Sequence, residues 1–272
     1  MLPKDELSLL RKSLESKESF LPLLQFFVKK STEEITEKEK NPENQLNYSN
    51  FYSIYTENYS KLHADLIFEN CQSPIERIFI SSLLLLFIKN RILGFSITPR
   101  LPDIEDSMRN YRKNHKAILK LINNYKNTTG DSNLTNFKTF FKETYINVGK
   151  YTEVDYYEVW EHYYIVKNFT FNSYHITLQP EFPNFKIDNK SIRPDILVWC
   201  PGNKKIKLIV ECDGFQFHSS KQSFENDRRR DRLLKSNGYD VIRYSGSEIF
   251  RDPVGVSEDL YNFLKKYNER KF

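Results

Sequence analysis

The sequence predicts an α/β (α+β) protein, with helices first and a mixed sheet confined to roughly the last hundred residues. Three observations carry this. Up to about residue 170 apolar side chains recur at helical spacing and no strand-like alternation stands out. After 170 the texture changes to β-branched and aromatic segments that alternate. Finally, 272 residues that are 39% hydrophobic and 15% aromatic can bury one large core or two small ones. That composition excludes a disordered chain, and a mean hydropathy of −0.62 excludes a multi-span membrane protein.

In chain order, Leu7, Leu10, Leu14, Leu21, Leu24 and Val28 predict helix over 1–30, broken near Pro22, and the polar run at 31–45 reads as a helix end passing into a linker. IFISSLLLLFI at 78–88 is about half the roughly 20 residues that span a bilayer, so it reads as a buried core helix beginning near 73. Further helical patterns lie near 104–126, 132–147 and 153–167, the first two separated by TTGDSN. Then SYHITLQPEF, KSIRPDILVWC and KKIKLIVECDG predict three strands, followed by a helix at about 222–236, the strand YDVIRYSG and a final amphipathic helix in SEDLYNFLKKYN. The chain divides accordingly into a helical N-terminal region (1–70), a second helical region (71–168) and an α/β core (169–272).

Cys71, Cys200 and Cys212 lack C-x-x-C spacing, which argues against a disulfide framework or structural zinc and fits a reducing cytoplasm. The N-terminus has no apolar signal segment, and no membrane role is expected. A net charge of +5 is compatible with an anionic partner without demanding one.

The chemistry concentrates in the hairpin made by 192–200 and 206–213. Pairing centred on Asn203 sets Asp195 across from Glu211, and directly opposed Cβ atoms lie about 5 Å apart. The period of two places Lys207, Ile209, Glu211 and Asp213 on one face, so three carboxylates are expected to converge. Two such charges repel by roughly 3 kcal/mol at an effective dielectric of 20, a penalty that a divalent cation removes. Hard oxygen ligands suit Mg²⁺ or Mn²⁺. The alternative is a surface hairpin whose acids face water. The apolar residues around them, Ile196 to Trp199 and Leu208 to Val210, favour a hairpin buried on both faces.

RPDILV followed by ECDGFQFHSS, ENDRRRDRLLKSNGYDVIRY and SEIF resembles the PD-(D/E)xK nuclease superfamily, and within it the branch related to very-short-patch-repair endonucleases. The shared features are E-x-D-G, a nearby His, D-x-x-R, L-x-x-x-G and V-x-R, in that order, over roughly 175–255. The resemblance implies a restriction-endonuclease-like core of αβββαβ order with a helical insertion, and a metal-dependent endonuclease acting on DNA. It implies that Asp195, Glu211 and the backbone carbonyl of Cys212 hold Mg²⁺ or Mn²⁺, with the Cys212 thiol toward the core. Asp213 stands where most of the superfamily has a Lys, and His218 is the substitute, able to exchange a proton near neutrality. Lys221 or Arg230 could supply the positive charge instead.

Gln179 resembles a Gln set beside the metal hairpin, and Glu76 a helix glutamate that serves as a further metal or water ligand. Ser73, Pro74 and Glu76 equally form a capping box with Pro at the first helical position. On the helix after the hairpin, Gly238 is a stop signal and Ser219, Ser220 and Ser223 are N-cap candidates. Arg228, Arg229, Arg230 and Arg232 encircle it, so some face the fold. Arg230 is assigned to a carboxylate or the scissile phosphate and Arg228, Arg229 and Lys221 to neighbouring phosphates. Arg243 is either a ligand or a buried partner of Asp227. The aromatic run at 151–174 reads as a packed helix with Val154, Tyr157, Trp160 and Tyr164 inward, with His162 structural, rather than as a base-stacking platform. Two alternatives to a DNase stay open: a degenerate nuclease that only grips nucleic acid, and an RNase. The N-terminal helices could hold a protein partner.

Overall fold

A computed structural model describes residues 11–40, 52–53, 55–89, 95–132, 134–156, 174–200, 204–214 and 221–269, together with positions 8, 42, 49 and 159. Its centre is a sheet of β1 (Phe95–Thr98), β2 (Tyr174–Leu178), β5 (Ile196–Trp199), β6 (Lys207–Asp213) and β7 (Asp240–Ser245), adjacent in that order. β2-β5-β6 pair antiparallel, whereas β1 runs parallel to β2 and β7 parallel to β6. β3 (Phe182–Ile187) and β4 (Lys190–Ile192) form a separate antiparallel pair.

Strand alternation divides the sheet into two apolar faces. On one, Ile176, Ile196, Val198, Leu208, Val210 and Cys212 join the larger core. That core is filled largely by α1 (Lys17–Lys38), α2 (Ser60–Asn70), α3 (Pro74–Lys89) and α8 (Pro253–Glu269), whose apolar sides supply most of its remaining buried residues. Helix α3 is apolar on nearly every side and is correspondingly buried from Ile78 to Leu84. On the other face, Leu197, Trp199 and Ile209 meet Leu234 of α6 (Lys221–Ser236), Tyr239, Phe182, Phe185 and Ile192. The central hairpin is therefore buried on both faces, with the Cys212 side chain in the larger core.

Helix α4 (Ile104–Thr129) links this second core to a third. Its start is capped by Asp103, whose side chain accepts from the Asp106 N–H, and its end by Gly130 at φ +70°. Ile104 and Met108 pack under the sheet, while Ile122 and Tyr125 pack on Phe137 and Phe141 of α5 (Phe137–Phe141) and on Tyr156. A short helix α7 (Gly246–Arg251), opened by a Ser245/Glu248 capping box, leads from β7 to α8.

Several expectations need correction. A strand does precede residue 170: β1, a four-residue edge strand too short for its alternation to stand out, enters the sheet from within the helical region. SYHITLQPEF is two strands in two sheets, because Gln179 takes φ +47° and turns the chain between β2 and β3. KSIRPDILVWC likewise splits into β4 and β5. Pro22 lies inside α1 without ending it, with Phe20, Leu23, Leu24 and Phe27 anchored in the core on either side, and the helix continues through the polar run to Lys38. Val154 is 67% exposed, and Tyr156 and Val159 carry the buried side instead. Tyr157, Trp160, His162 and Tyr164 lie outside the described residues.

Candidate active site

The register Ile196↔Val210, carried one residue further, sets Asp195 opposite Glu211. Asp195 sits just before β5 and is held from two sides. Its Oδ2 accepts from the Cys212 N–H at 2.8 Å and its Oδ1 from Gln179 Nε2 at 3.3 Å. The Asp195 carbonyl also accepts from the Gln179 N–H at 2.8 Å, tying the left-handed turn to the hairpin. A positive φ on a non-glycine residue costs free energy that the surroundings must sustain. Here it accompanies the amide that joins two acids.

The second acid is Glu76. Ser73 caps α3 by accepting from the Glu76 N–H, but the return arm of a capping box is absent, since Glu76 Oε2 accepts from Gln72 N–H and from Gln179 Nε2 at 2.9 Å. One carboxylate thus anchors the helix entry and reaches the hairpin through Gln179. Burial, then the Asp195 charge, pushes the Glu76 carboxyl up, against three hydrogen bonds to its ionised form. Asp195 is likewise raised by burial, opposed by the Cys212 and Gln179 hydrogen bonds.

Glu211 is 3% exposed, and burial pushes its carboxyl up to about 8, with Arg230 pulling the other way. Arg230 Nη2 lies 3.2 Å from Glu211 Oε1 and the same distance from Asp227 Oδ1. Yet among the described residues Glu211 Oε1 and Arg230 Nε, both buried, have no hydrogen bond, so the guanidinium lies beside the carboxylate without being aligned on it.

Asp213 lies near enough to Asp195 and Glu211 for its charge to push both carboxyls up, and it is itself paired with an arginine. Arg243 Nη1 holds Asp213 Oδ1 at 2.8 Å while Nη2 takes Asp231 at 3.0 Å and Asp227 at 3.7 Å. Arg243 is a half-buried partner of these acids. Among the described residues no set of three His, Cys, Asp or Glu is arranged to hold a metal ion. What the fold does bring together is Asp195, Glu211, Glu76, Gln179, the Cys212 backbone and Arg230.

Helix α6 places Arg230 by a closed C-terminus: the Gly238 N–H donates to Lys235 O and the Tyr239 N–H to Leu234 O, with Gly238 at φ +79° and Tyr239 packed near Leu234 in the same core. Arg229 does not reach the site. It pairs with Asp188 at the tip of the β3–β4 hairpin at 3.2 Å, and Arg228 is exposed. His218, Ser219, Ser220 and the side chains of Lys221 and Ser223 fall outside the described residues. The β3–β4 hairpin itself was legible in FPNFKIDNKSI, where Asp188-Asn189 forms a two-residue turn with both φ positive.

Two uncharacterized proteins of Haemophilus influenzae are similar to the chain: one is 43% identical over 61 residues, 22% of this chain and 50% of the relative, and the other 34% identical over 59 residues, 22% and 36%. The chain spans half or less of the length of these curated relatives. No solved structure matches it. Residues 164–264 match the family model REase_MTES_1575. The segment that carries the hairpin, α6 and β7 is thus similar to a restriction-endonuclease-like family, consistent with the PD-(D/E)xK superfamily.

Proposed function

We propose that this protein is a metal-dependent endonuclease that hydrolyses phosphodiester bonds in DNA, with Asp195 and Glu211 as its metal-binding acids. The observation that carries the proposal is Glu211 Oε1, a buried carboxylate oxygen with no hydrogen bond, set opposite Asp195. A buried acceptor left with only an unaligned ion pair is costly and fits a missing cation. The donor set fits too: Mg²⁺ is commonly held by one or two carboxylates, with waters and substrate phosphate completing its shell. Asp195, Glu211 and the Cys212 carbonyl would hold Mg²⁺ or Mn²⁺, with Glu76 reaching it directly or through water. When bound, the metal polarises the phosphate and lowers the pKa of the attacking water.

The chain's own residues do the remaining work. The Cys212 N–H and Gln179 fix the Asp195 carboxylate, and Gln179 spaces it from Glu76. Arg230 supplies the positive charge that the superfamily's Lys would bring, at the edge of the carboxylate pair, where a phosphate oxygen can align the unpaired Nε. Asp213 cannot take that part, because a carboxylate brings no positive charge, and its own charge is already paired with Arg243. His218 remains the proposed acceptor for the water's proton. Asp195→Ala and Glu211→Ala should each abolish Mg²⁺-dependent cleavage and leave DNA binding intact. Wild-type rates of cleavage in both variants would refute the assignment. Plasmid, single-stranded DNA and RNA assayed side by side separate a DNase from an RNase. The commitment of Asp213 to Arg243 favours one rival reading, a degenerate nuclease that only grips nucleic acid, and that reading predicts no Mn²⁺ binding by the wild type.

A further inference from the structure

Beside the acids lies an open groove of about 430 Å³ between the β3–β4 hairpin and α6. Lys190, Ser191 and Arg193 line one wall, Asn226, Asp227 and Arg230 the other. Its two carboxylates are already engaged, Glu181 with Arg100 and Asp227 with Arg230 and Arg243. Lys190 and Arg193 are exposed, and among the described residues neither has an ion-pair partner. Two buried polar atoms at the opposite wall, Asn226 Oδ1 and Arg230 Nε, lack hydrogen bonds. The groove therefore presents unpaired cations on one side and unsatisfied polar groups on the other, and Arg230, which lines it, also contacts Glu211 of the site.

The hairpin is built to hold its cations in place. Its two-residue turn has both φ values positive, the conformation that matches strand twist. Phe182, Phe185 and Ile192 root it in the core under α6, and Arg229 ties its tip to the helix. Arg193 stands two residues before Asp195, so a backbone lying along the groove leads directly to the acids.

We infer that this groove binds the sugar–phosphate backbone of the DNA beside the scissile bond, with Lys190 and Arg193 contacting phosphates and Asn226 and Arg230 fixing the strand's position at the acids. The inference rests on the nuclease reading for its substrate. Contacts of this kind set register and orientation without reading bases, and each removes about 0.9 from the slope of log affinity against log salt on duplex DNA.

The test is fluorescence anisotropy of a labelled duplex with full-length protein carrying Asp195→Ala, titrated across about 50 to 200 mM salt. Adding Lys190→Glu and Arg193→Glu should weaken binding at least ~10-fold and lower the salt slope by about 2. Lys190→Gln with Arg193→Gln should give the same slope change with a smaller loss. Lys265→Glu with Lys266→Glu, the same charge change on α8 in the layer across the sheet, should leave both readings near the parent. Both hairpin residues are exposed, and an unchanged melting temperature verifies the fold. Equal losses in the hairpin and α8 variants, or none in the hairpin variants, overturn the inference. A wild type that binds duplex through the hairpin residues yet never cleaves it sinks the nuclease reading and leaves the groove standing. A wild type that cleaves while the hairpin variants bind as the parent does the reverse.

Discussion

Two arginines lie side by side on the acidic edge of the sheet, and they are used differently. Arg243 is shared among Asp213, Asp231 and Asp227, with four nitrogen-to-oxygen contacts at 2.8 to 3.7 Å; burial opposes its charge, and Asp231, Glu211 and Asp213 more than offset this and raise its pKa. Arg230 touches Glu211 and Asp227, yet its Nε and the Glu211 Oε1 beside it remain without hydrogen bonds. A satisfied cluster holds structure together; an unsatisfied one of the same composition is incomplete without something else. The contrast also sets Asp213, which shares a strand face with Glu211, among the paired acids of the satisfied cluster.

The largest expected effect breaks the satisfied cluster. Arg243→Ala leaves three aspartates facing one another and should cost about 3 to 5 kcal/mol in urea unfolding, so that lost cleavage follows lost fold. A loss below about 1 kcal/mol would show that Arg243 is no keystone. Next in size is a pH effect that must be separated from both clusters. His63 is buried among Tyr59 and Phe95, and burial lowers its pKa from 6.5 to about 4. Between those values the unfolded chain holds the extra proton, so stability falls as pH drops from about 6.5 toward 4 and levels off below it. The full loss is about 3 kcal/mol, at about 1.36 kcal/mol per tenfold change in proton affinity. His63→Phe should flatten that limb in melting curves taken from pH 7 to pH 4, and an unchanged slope would contradict a neutral buried imidazole.

The unsatisfied cluster should respond in the opposite proportion. Arg230→Met should cost only about 1 kcal/mol, because burial already favours the neutral form of Glu211, yet it should remove most cleavage. A large stability loss there would erase the distinction between the two arginines. The smallest effect belongs to a third, Arg229, which pairs with Asp188 where both are at least half exposed. Arg229→Ala should change stability by less than about 0.5 kcal/mol, as surface pairs do, and thermal melts can show it.

The elements read best from the sequence were those whose signals are local and redundant. Asn203 centred between two apolar runs was enough to set Asp195 opposite Glu211, and Gly238 after Asn237 was enough to end α6. What escaped depended on partners distant in the chain or on backbone conformation. β1 has four residues and becomes a strand only by lying beside Tyr174 to Thr177. The alternation in SYHITLQPEF carries no trace of the left-handed turn at Gln179 that sends β3 to a second sheet. The choice of Arg243 for Asp213 depends on how α6 and β7 meet, which no spacing encodes, whereas a carboxylate partner for Arg230 was already implied by D-x-x-R. Val154 fits a helical stripe on paper, but the stripe that Phe137 and Phe141 meet is that of Tyr156 and Val159.

Whether Glu211 and the opposed Asp195 form a metal site is tested most directly by calorimetric titration with Mn²⁺. Binding by the wild type that disappears in both Asp195→Ala and Glu211→Ala is the predicted result. No heat with the wild type, or equal binding by the two variants, would contradict it.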